Sequence, residues 1–171
     1  MQIPEINTDR LLLRAPQAED FSTYRDFYAD AESSAAYGGP LPPHLAWRKL
    51  AADLWSWSLR GYGMWSLECR ENAAMVGGCG IVWPEGWPRS ELTWWIIPAA
   101  RRKGFALEAS RAVITFAYDV LGWDVVETHM DDDNEPAHNL ARKLNGVVIA
   151  RERFPDGPER DIYALPNPAE T

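Results

Sequence analysis

The stretch that most constrains the fold of this chain is 91–109, because its structural preference changes sharply in the middle. Residues 91–97 are rich in aromatic and β-branched side chains and predict a strand. Pro98 ends that strand, and Gly104 opens a segment of good helix formers that predicts a helix over 104–118. A strand and a helix joined by a short basic loop are therefore expected.

The loop between strand and helix has the composition of an anion site. It reads Arg101-Arg102-Lys103-Gly104-Phe105-Ala106. The first backbone N–H groups of a helix have no partner within the helix and lie at the positive end of its dipole, which suits a pyrophosphate. Gly104 lets the backbone approach such an anion closely. The alternative is an ordinary strand-to-helix connection with solvated arginines.

Three segments, in order along the chain, resemble motifs of the GNAT N-acetyltransferases. Arg101-x-x-Gly104-x-Ala106 is similar to the acetyl-CoA pyrophosphate loop of that family, Q/R-x-x-G-x-G/A. Segment 133–146, DNEPAHNLARKLNG, is similar to the family's D-N-x-x-S-x-x-x-x-x-K-L-G. Segment 6–14, INTDRLLLR, resembles the I-x-T-x-R-L-x-L-R opening of the branch that includes ribosomal-protein alanine N-acetyltransferases. The combination is more specific than any one motif.

The resemblance implies one GNAT-like domain over residues 1–171 with an α+β fold. The fold implied is a mixed, mostly antiparallel central sheet with helices on both faces and a splayed pair of parallel strands. In that fold the pantetheine arm of acetyl-CoA lies between the splayed strands. The activity implied is transfer of an acetyl group from acetyl-CoA to a primary amine, by direct attack in a ternary complex.

Elements predicted from periodicity and turn signals agree with that order. They are a strand at 10–14, helices at 19–31 and 45–59, strands at 65–70, 75–82 and 91–97, a helix at 104–118, a strand at 125–130, a helix at 135–144, and strands at 147–154 and 161–165. The segment Pro40-Leu41-Pro42-Pro43 is expected to interrupt helical structure.

Length and composition restrict the class of protein. A chain of 171 residues is long enough to fold without disulfides or a metal, and Cys69 and Cys79 lack metal-ligand spacing, so free thiols are expected. The net charge of −8 argues against general nucleic-acid binding. No signal pattern or membrane-length apolar run is present, so a cytoplasmic protein without membrane contact is expected. Nine tryptophans suggest an aromatic groove or a homodimer interface.

The resemblance also implies which residues bind acetyl-CoA. Backbone N–H groups of the basic loop would hold the pyrophosphate, and the end of the preceding strand would pair with the pantetheine amides. Residues of the later helix would cap that helix and reach the cofactor, with capping alone as the alternative for its first residue. The implied cofactor-binding residues are Trp95, Ile96, Ile97, Arg101, Arg102, Lys103, Gly104, Phe105, Ala106, Asn134, Asn139 and Arg142. No metal is expected, because acidic residues at a helix N-terminus explain Asp131-Asp132-Asp133.

The chemistry requires a base. An alkyl amine has a pKa of about 10 and is nearly all ammonium at neutral pH. A carboxylate in a partly apolar groove is suited to removing its proton, because burial raises the carboxylate pKa. Glu91, at the start of the central strand, is the first candidate, and a solvated glutamate is the alternative. Glu68 is a weaker second candidate.

The chain differs from the family pattern at the positions that would donate a proton to the leaving thiolate. Family members often carry a tyrosine at the position matching Ala141, and the ribosomal-protein branch often carries a serine at the position matching Ala137. His138 is the remaining candidate on that helix, with an inert histidine or protonation by solvent as alternatives. For His129, at the end of a predicted strand, a functional role and a structural role are likewise both open.

Two functional readings remain. The first is an N-acetyltransferase whose acceptor is a small amine or a protein N-terminus. The second is an acyl-CoA-binding module with weak or no catalysis, which the alanines at 137 and 141 favour. A nucleotide-binding P-loop protein is excluded, since the sequence contains no G-x-x-x-x-G-K-[ST].

Overall fold

The computed structural model describes residues 2–170, with the side chain of Glu170 left out. Short 3-10 turns at Ala18–Asp20, Ala35–Tyr37 and Pro98–Ala100 join some of its elements. The elements are β1 (Ile6–Asn7), β2 (Leu11–Arg14), α1 (Phe21–Ala29), α2 (Ala31–Ser34), α3 (Pro43–Arg60), β3 (Met64–Cys69), β4 (Met75–Val82), β5 (Glu91–Ile96), α4 (Phe105–Asp119), β6 (Val126–His129), α5 (Glu135–Lys143), β7 (Val147–Arg153) and β8 (Glu159–Leu165).

The strands form two antiparallel sheets that meet at β5 and β6. The first sheet has five strands in the order β1-β2-β3-β4-β5, and the second has three in the order β6-β8-β7. Helix α4 returns the chain so that β5 and β6 run in the same direction side by side. Thr128 Oγ1 on β6 donates to Leu92 O on β5 at 2.8 Å. The expected mixed sheet and splayed parallel pair are both confirmed.

Helices cover both faces of the larger sheet. On one face α4 turns an apolar stripe inward, and on the other α1 and α3 pack over aromatic residues. The stripe recurs at helical spacing, which is why this segment folds as a helix against the sheet. The buried residues of the stripe are Phe105, Ala109, Ser110, Val113, Ile114 and Ala117. The second cluster contains Tyr24, Phe27, Tyr28, Ala46, Leu50, Met64 and Trp95.

Trp95 is the centre of the second cluster. Its ring centroid lies 4.9 Å from that of Tyr24 and 4.6 Å from that of Phe27. The indole crosses β4 at Gly78, where an added Cβ would lie 2.5 Å from Trp95 Nε1. The glycine therefore makes room for the tryptophan that holds α1 against the sheet.

The structure corrects the predictions around the first helices. The predicted helix over 45–59 begins two residues earlier, because Pro43 is the first residue of α3. Proline is tolerated there, since the first N–H of a helix has no partner within the helix. The helix predicted over 19–31 ends at Ala29. A separate short helix follows, capped by Asp30, whose Oδ2 accepts the Ser33 N–H at 2.7 Å.

The hairpin of β3 and β4 is confirmed, with Trp65 opposite Cys79 in the ladder. Cys69 lies opposite Leu11 on the other side of β3. Both thiols are free and buried. No helix within residues 2–170 has the length and hydropathy to span a bilayer.

Truncating the core should destabilise the fold far more than truncating the exposed side of α3. Leu67 on β3 is fully buried, whereas Leu59 on α3 is 72% exposed. We expect Leu67→Ala to lower the free energy of unfolding by about 2–5 kcal/mol, because it leaves a cavity. The matched control Leu59→Ala should stay within about 0.5 kcal/mol. Urea unfolding followed by circular dichroism measures both, and equal effects would contradict the core assignment.

Candidate active site

The basic loop after β5 is fixed from outside by Arg10. The Arg10 guanidinium donates from Nη1 to Lys103 O and from Nε to Glu108 Oε2, each at 2.7 Å. Thr8 Oγ1 donates to the other Glu108 oxygen at 2.6 Å. Burial opposes ionisation of Glu108, but the bonds from Thr8 and Arg10 lower its pKa overall. The start of the chain and the first turn of α4 are thus joined by a carboxylate that stays charged.

The backbone of this loop presents its N–H groups as expected. Gly104 has φ +82° and is the N-cap of α4, and Arg102 also has a positive φ, +61°. Among the hydrogen bonds of residues 2–170, none uses the backbone N–H of residues 102–107. The side chains of Arg102 and Lys103 are exposed beside these groups. The loop therefore combines unpaired donors, a helix N-terminus and mobile positive charge.

One edge of β5 pairs with β4 and the other faces the gap beside β6. This corrects the prediction that Trp95, Ile96 and Ile97 all offer main-chain groups to the pantetheine arm. The N–H of Ile97 donates to Val76 O at 2.9 Å. Trp95 lies opposite Gly78 in the same ladder, so its main-chain groups also face β4. Trp95 and Ile97 are therefore paired within the fold, and only Ile96 of the three predicted residues faces the gap beside β6.

The open edge of β5 is formed by Trp94 and Ile96. Trp94 O accepts a short hydrogen bond from the Tyr37 hydroxyl. Ile96 O accepts from Arg101 Nε at 3.1 Å. These side chains satisfy the carbonyl groups of the edge, and the backbone N–H groups of Trp94 and Ile96 make no hydrogen bond within residues 2–170.

A narrow cleft of about 180 Å³ opens where β5 and β6 separate. It is closed on one side by the Ala35–Tyr37 turn and on the other by the start of α5 and the β7–β8 hairpin. Its lining residues are Ala36, Tyr37, Trp87, Glu91, Leu92, Thr93, Trp94, Thr128, His129, Met130, Asp131, Asn134, Ala137, Asp156 and Arg160.

Glu91 and His129 face each other in this cleft. Glu91 Oε2 lies 3.5 Å from His129 Nε2, and the Glu91 side chain is 22% exposed. Burial raises the pKa of Glu91 to about 8, with Arg160 opposing and Asp131 adding to the shift. Burial lowers the pKa of His129 to about 4. The His129 Nε2 is buried and has no hydrogen-bond partner among residues 2–170. At neutral pH the pair is a protonated carboxyl beside a neutral imidazole.

Arg160 lines the cleft and is fixed by two aspartates. Its buried guanidinium donates from Nε to Asp131 Oδ1 at 2.7 Å and from Nη1 to Asp156 Oδ1 at 2.9 Å. It also lies 4.9 Å above the Phe154 ring, and that ring packs 4.1 Å from the His129 ring. The imidazole facing Glu91 is therefore fixed by packing, and Asp131 serves an ion pair as well as the start of the helix.

His138 lies outside the cleft lining. It lies on the buried face of α5, where Nδ1 is 2.9 Å from the Tyr163 hydroxyl and Nε2 is 3.3 Å from Asp131 O. Both ring nitrogens thus have partners within the fold. The prediction that His138 protonates the thiolate stays untested, and this geometry already gives the ring a structural role.

The later helix carries the other predicted contacts. Asn134 Oδ1 accepts the Ala137 N–H at 3.3 Å, which confirms the cap, and both residues line the cleft. Asn139 and Arg142 are exposed, and Arg142 Nη1 donates to Asn139 Oδ1 at 3.1 Å and to Glu135 Oε1 at 3.0 Å. Neither lines the cleft, so their contacts with the cofactor stay predictions.

Sequence reasoning missed Tyr37 and Arg160. Tyr37 comes from a turn with no periodic pattern, and Arg160 comes from the last hairpin, so only the assembled fold brings them to β5. Glu68, the second candidate base, is instead paired with Arg14 Nε at 2.6 Å and lies outside the cleft. Within residues 2–170 there is no group of three His, Cys, Asp or Glu side chains placed to hold a metal ion.

A second, wider groove of about 900 Å³ meets the cleft. It runs between α3 and the connection from β4 to β5. The two openings share Ala36, Tyr37, Trp87, Glu91 and Thr93. Glu91 therefore lies at the junction between a narrow cleft on the β6 side and a wide groove on the α3 side.

Comparison with known proteins points to one family. Residues 10–147 match the family model described as an acetyltransferase (GNAT) domain. The uncharacterised N-acetyltransferase YoaA of Bacillus subtilis is 25% identical, with 98% of this chain and 99% of YoaA covered. An acetyltransferase structure from Agrobacterium tumefaciens is 28% identical, with a TM-score of 0.88 and 97% and 96% of the two chains covered.

The ribosomal L7/L12 alpha-N-protein acetyltransferase RimL, solved in complex with coenzyme A, is similar in fold. Its TM-score is 0.77 at 14% identity, with 96% of this chain and 99% of RimL covered. At this identity the likeness shows a shared fold.

Loosening the basic loop should weaken coenzyme A binding. Arg10→Ala removes the bonds to Lys103 O and Glu108 that fix the loop. We expect the dissociation constant for coenzyme A to rise about tenfold, equivalent to about 1.4 kcal/mol. Calorimetric titration measures the affinity, and Arg25→Ala, which removes an exposed arginine paired with Asp26, is the control. Equal affinities in the two variants would contradict the role of Arg10.

The raised pKa of Glu91 predicts a pH dependence of stability. The folded protein holds this proton up to about pH 8, whereas the ordinary pKa is 4.5. The contribution of Glu91 to the free energy of unfolding is therefore full below the ordinary pKa and falls as pH rises towards 8. Glu91→Gln should remove this fall, so the stability of wild type relative to the variant decreases over that range.

Urea unfolding at several pH values measures this difference. Glu85→Gln is the matched control, because the Glu85 side chain is 99% exposed. A wild-type curve parallel to that of Glu91→Gln would show that Glu91 titrates normally.

Proposed function

Because the chain belongs to the GNAT acetyltransferase family, we propose that it transfers an acetyl group from acetyl-CoA to a primary amine by direct attack in a ternary complex, with Glu91 as general base. The observation that carries this proposal is the position of Glu91. Glu91 lines both the narrow cleft and the wide groove, which supports a position between the bound cofactor and the acceptor.

The loop and the strand edge fit the phosphate and pantetheine parts of acetyl-CoA. Unpaired N–H groups of residues 102–107, at the positive end of α4, would hold the pyrophosphate. The free N–H groups of Trp94 and Ile96 would bind pantetheine carbonyl oxygens along the open edge of β5. The bound cofactor supplies an activated thioester, and these contacts orient it beside Glu91.

The ionised form of Glu91, whose share rises as pH approaches its raised pKa of about 8, removes the proton that makes the acceptor unreactive. With a pKa raised to about 8, its carboxylate is a much better match for an ammonium group than an ordinary glutamate would be. The amine nitrogen gives its proton to Glu91 and attacks the thioester carbonyl carbon. His129 Nε2, 3.5 Å away and without a partner, is placed to accept a hydrogen bond from the protonated carboxyl group.

Solvent protonates the departing thiolate in this proposal. Ala137 lines the cleft with a methyl group, and Ala141 is fully buried. Both ring nitrogens of His138 are already engaged. No step is therefore assigned to these three residues.

Replacing the base should abolish most of the activity without affecting cofactor affinity. We expect Glu91→Gln to lower kcat/KM by about 10²–10⁴-fold. In wild type the rate should rise with pH through an apparent pKa of about 8, the value for Glu91, and the variant should lose this rise. Release of the coenzyme A thiol measures the rate, and Glu71→Gln, at an exposed glutamate that lines neither the cleft nor the groove, is the control. A variant with a wild-type pH profile would exclude Glu91 as the base.

The second candidate is an acyl-CoA-binding module, favoured by the absence of hydroxyl groups at Ala137 and Ala141. Calorimetry and the thiol assay together separate the two functions. Tight binding of coenzyme A with no thiol release for any primary amine would favour the binding module.

A further inference from the structure

The wide groove carries an unusual amount of exposed apolar surface at its rim. Trp55 is 62% exposed, Leu59 is 72% exposed and Trp83 is 41% exposed, and all three line the groove. Trp55 and Leu59 are one turn apart on the same face of α3. Trp83 follows β4 on the opposite wall. Grouped apolar side chains around a concave surface are typical of a ligand site.

Core packing does not explain these side chains. Trp57, between Trp55 and Leu59 in the sequence, is the residue of this turn that is buried. Trp47, the other exposed tryptophan of α3, packs edge-to-face on Phe21, with ring centroids 5.3 Å apart. Trp55 makes no such ring contact within residues 2–170. Its large apolar surface is therefore turned to the groove without a partner of its own.

The opposite wall is held in place. Trp83 Nε1 donates to Trp87 O at 2.8 Å, and the Arg60 guanidinium lies 5.6 Å from the Trp83 ring centroid. Arg60 in turn pairs with Glu85 at 3.3 Å. The indole is thus fixed by its neighbours, and the two charges at this rim offset each other.

The carboxyl groups of Asp53 and Glu91 line the groove together with the ammonium group of Lys49. Asp53 accepts a hydrogen bond from the Tyr24 hydroxyl through Oδ2 at 2.8 Å, and within residues 2–170 its Oδ1 makes none. Burial raises the pKa of Asp53 to about 6, with the Tyr24 bond and Lys49 opposing, so it is mostly ionised at neutral pH. Glu91 lies at the inner end. An apolar rim, an ionised Asp53 and a Glu91 able to accept a proton together suit an amine with an apolar body.

Resting on the proposed function, we propose that the acceptor is a hydrophobic primary amine of small-molecule size. Its aromatic or branched alkyl body lies on Trp55, Leu59 and Trp83, and its amino group points to Glu91. The groove volume of about 900 Å³ falls within the range of small-molecule sites, which is roughly 300–1,000 Å³.

The reaction balances without any other reactant. The ammonium group, attracted by Asp53, loses a proton to the ionised form of Glu91. The nitrogen forms a bond to the thioester carbonyl carbon, and the carbon–sulfur bond breaks. The acylated nitrogen then loses its extra proton to solvent, the thiolate takes up a proton, and Glu91 returns its proton to solvent. The products are an N-substituted acetamide, coenzyme A and one net proton.

A substrate panel with matched variants tests this proposal. We would compare 2-phenylethylamine and 3-methylbutylamine with ethylamine, putrescine and a short peptide that has a free N-terminus. The two hydrophobic amines should show a kcat/KM about tenfold or more above ethylamine. Trp55→Ala and Leu59→Ala should raise KM for 2-phenylethylamine, with kcat and the ethylamine reaction little changed. Trp47→Ala is the control, a tryptophan of the same helix that does not line the groove.

The outcomes separate the two proposals. Turnover of ethylamine as fast as the hydrophobic amines, or equal effects of Trp55→Ala and Trp47→Ala, overturns the hydrophobic acceptor and leaves acetyl transfer standing. Preferred turnover of the peptide also overturns it and assigns the groove to a protein N-terminus. No thiol release with any amine, while coenzyme A still binds, overturns the proposed function itself. Circular dichroism of each variant shows that the fold is intact.

Discussion

The separation of β5 from β6 is the constraint on which the site depends. Where Thr128 Oγ1 reaches Leu92 O the two strands are still held together, but no ladder continues between them in the described residues. An unpaired strand edge inside a protein must find other partners for its polar groups. The Tyr37 hydroxyl and the Arg101 guanidinium satisfy the carbonyl groups at Trp94 and Ile96, and the N–H groups between them stay available. The same gap that interrupts the sheet therefore provides a binding edge.

Electrostatics in the cleft are set by burial and pairing together. Arg160 is buried and stays charged because two aspartates bind it. Glu91 is close to these charges but has no such bond, so desolvation dominates and raises its pKa. The two ion pairs of Arg160 thus fix this side of the cleft, while the neighbouring carboxyl group of Glu91 keeps a proton at neutral pH. That difference distinguishes a structural acid from one suited to proton transfer.

Local patterns predict the strand–loop–helix unit and the hairpin of β3 and β4, and together with the family resemblance they name Glu91 as the candidate base. They were not enough for features set by distant partners. Which residues of β5 face the gap depends on the register with β4, so Trp95 and Ile97 were wrongly placed at the open edge. His129 and His138 look alike in sequence, and only the fold shows that the first faces Glu91 and the second is bound by Tyr163. Tyr37 and Arg160 needed the tertiary structure altogether.

The link from Arg10 and Thr8 to Glu108 couples segments that are far apart in sequence. The geometry of the basic loop therefore depends on the short amino-terminal hairpin of β1 and β2. Fraying of that hairpin would release the first turn of α4, and so would change ligand affinity before any loss of the sheet.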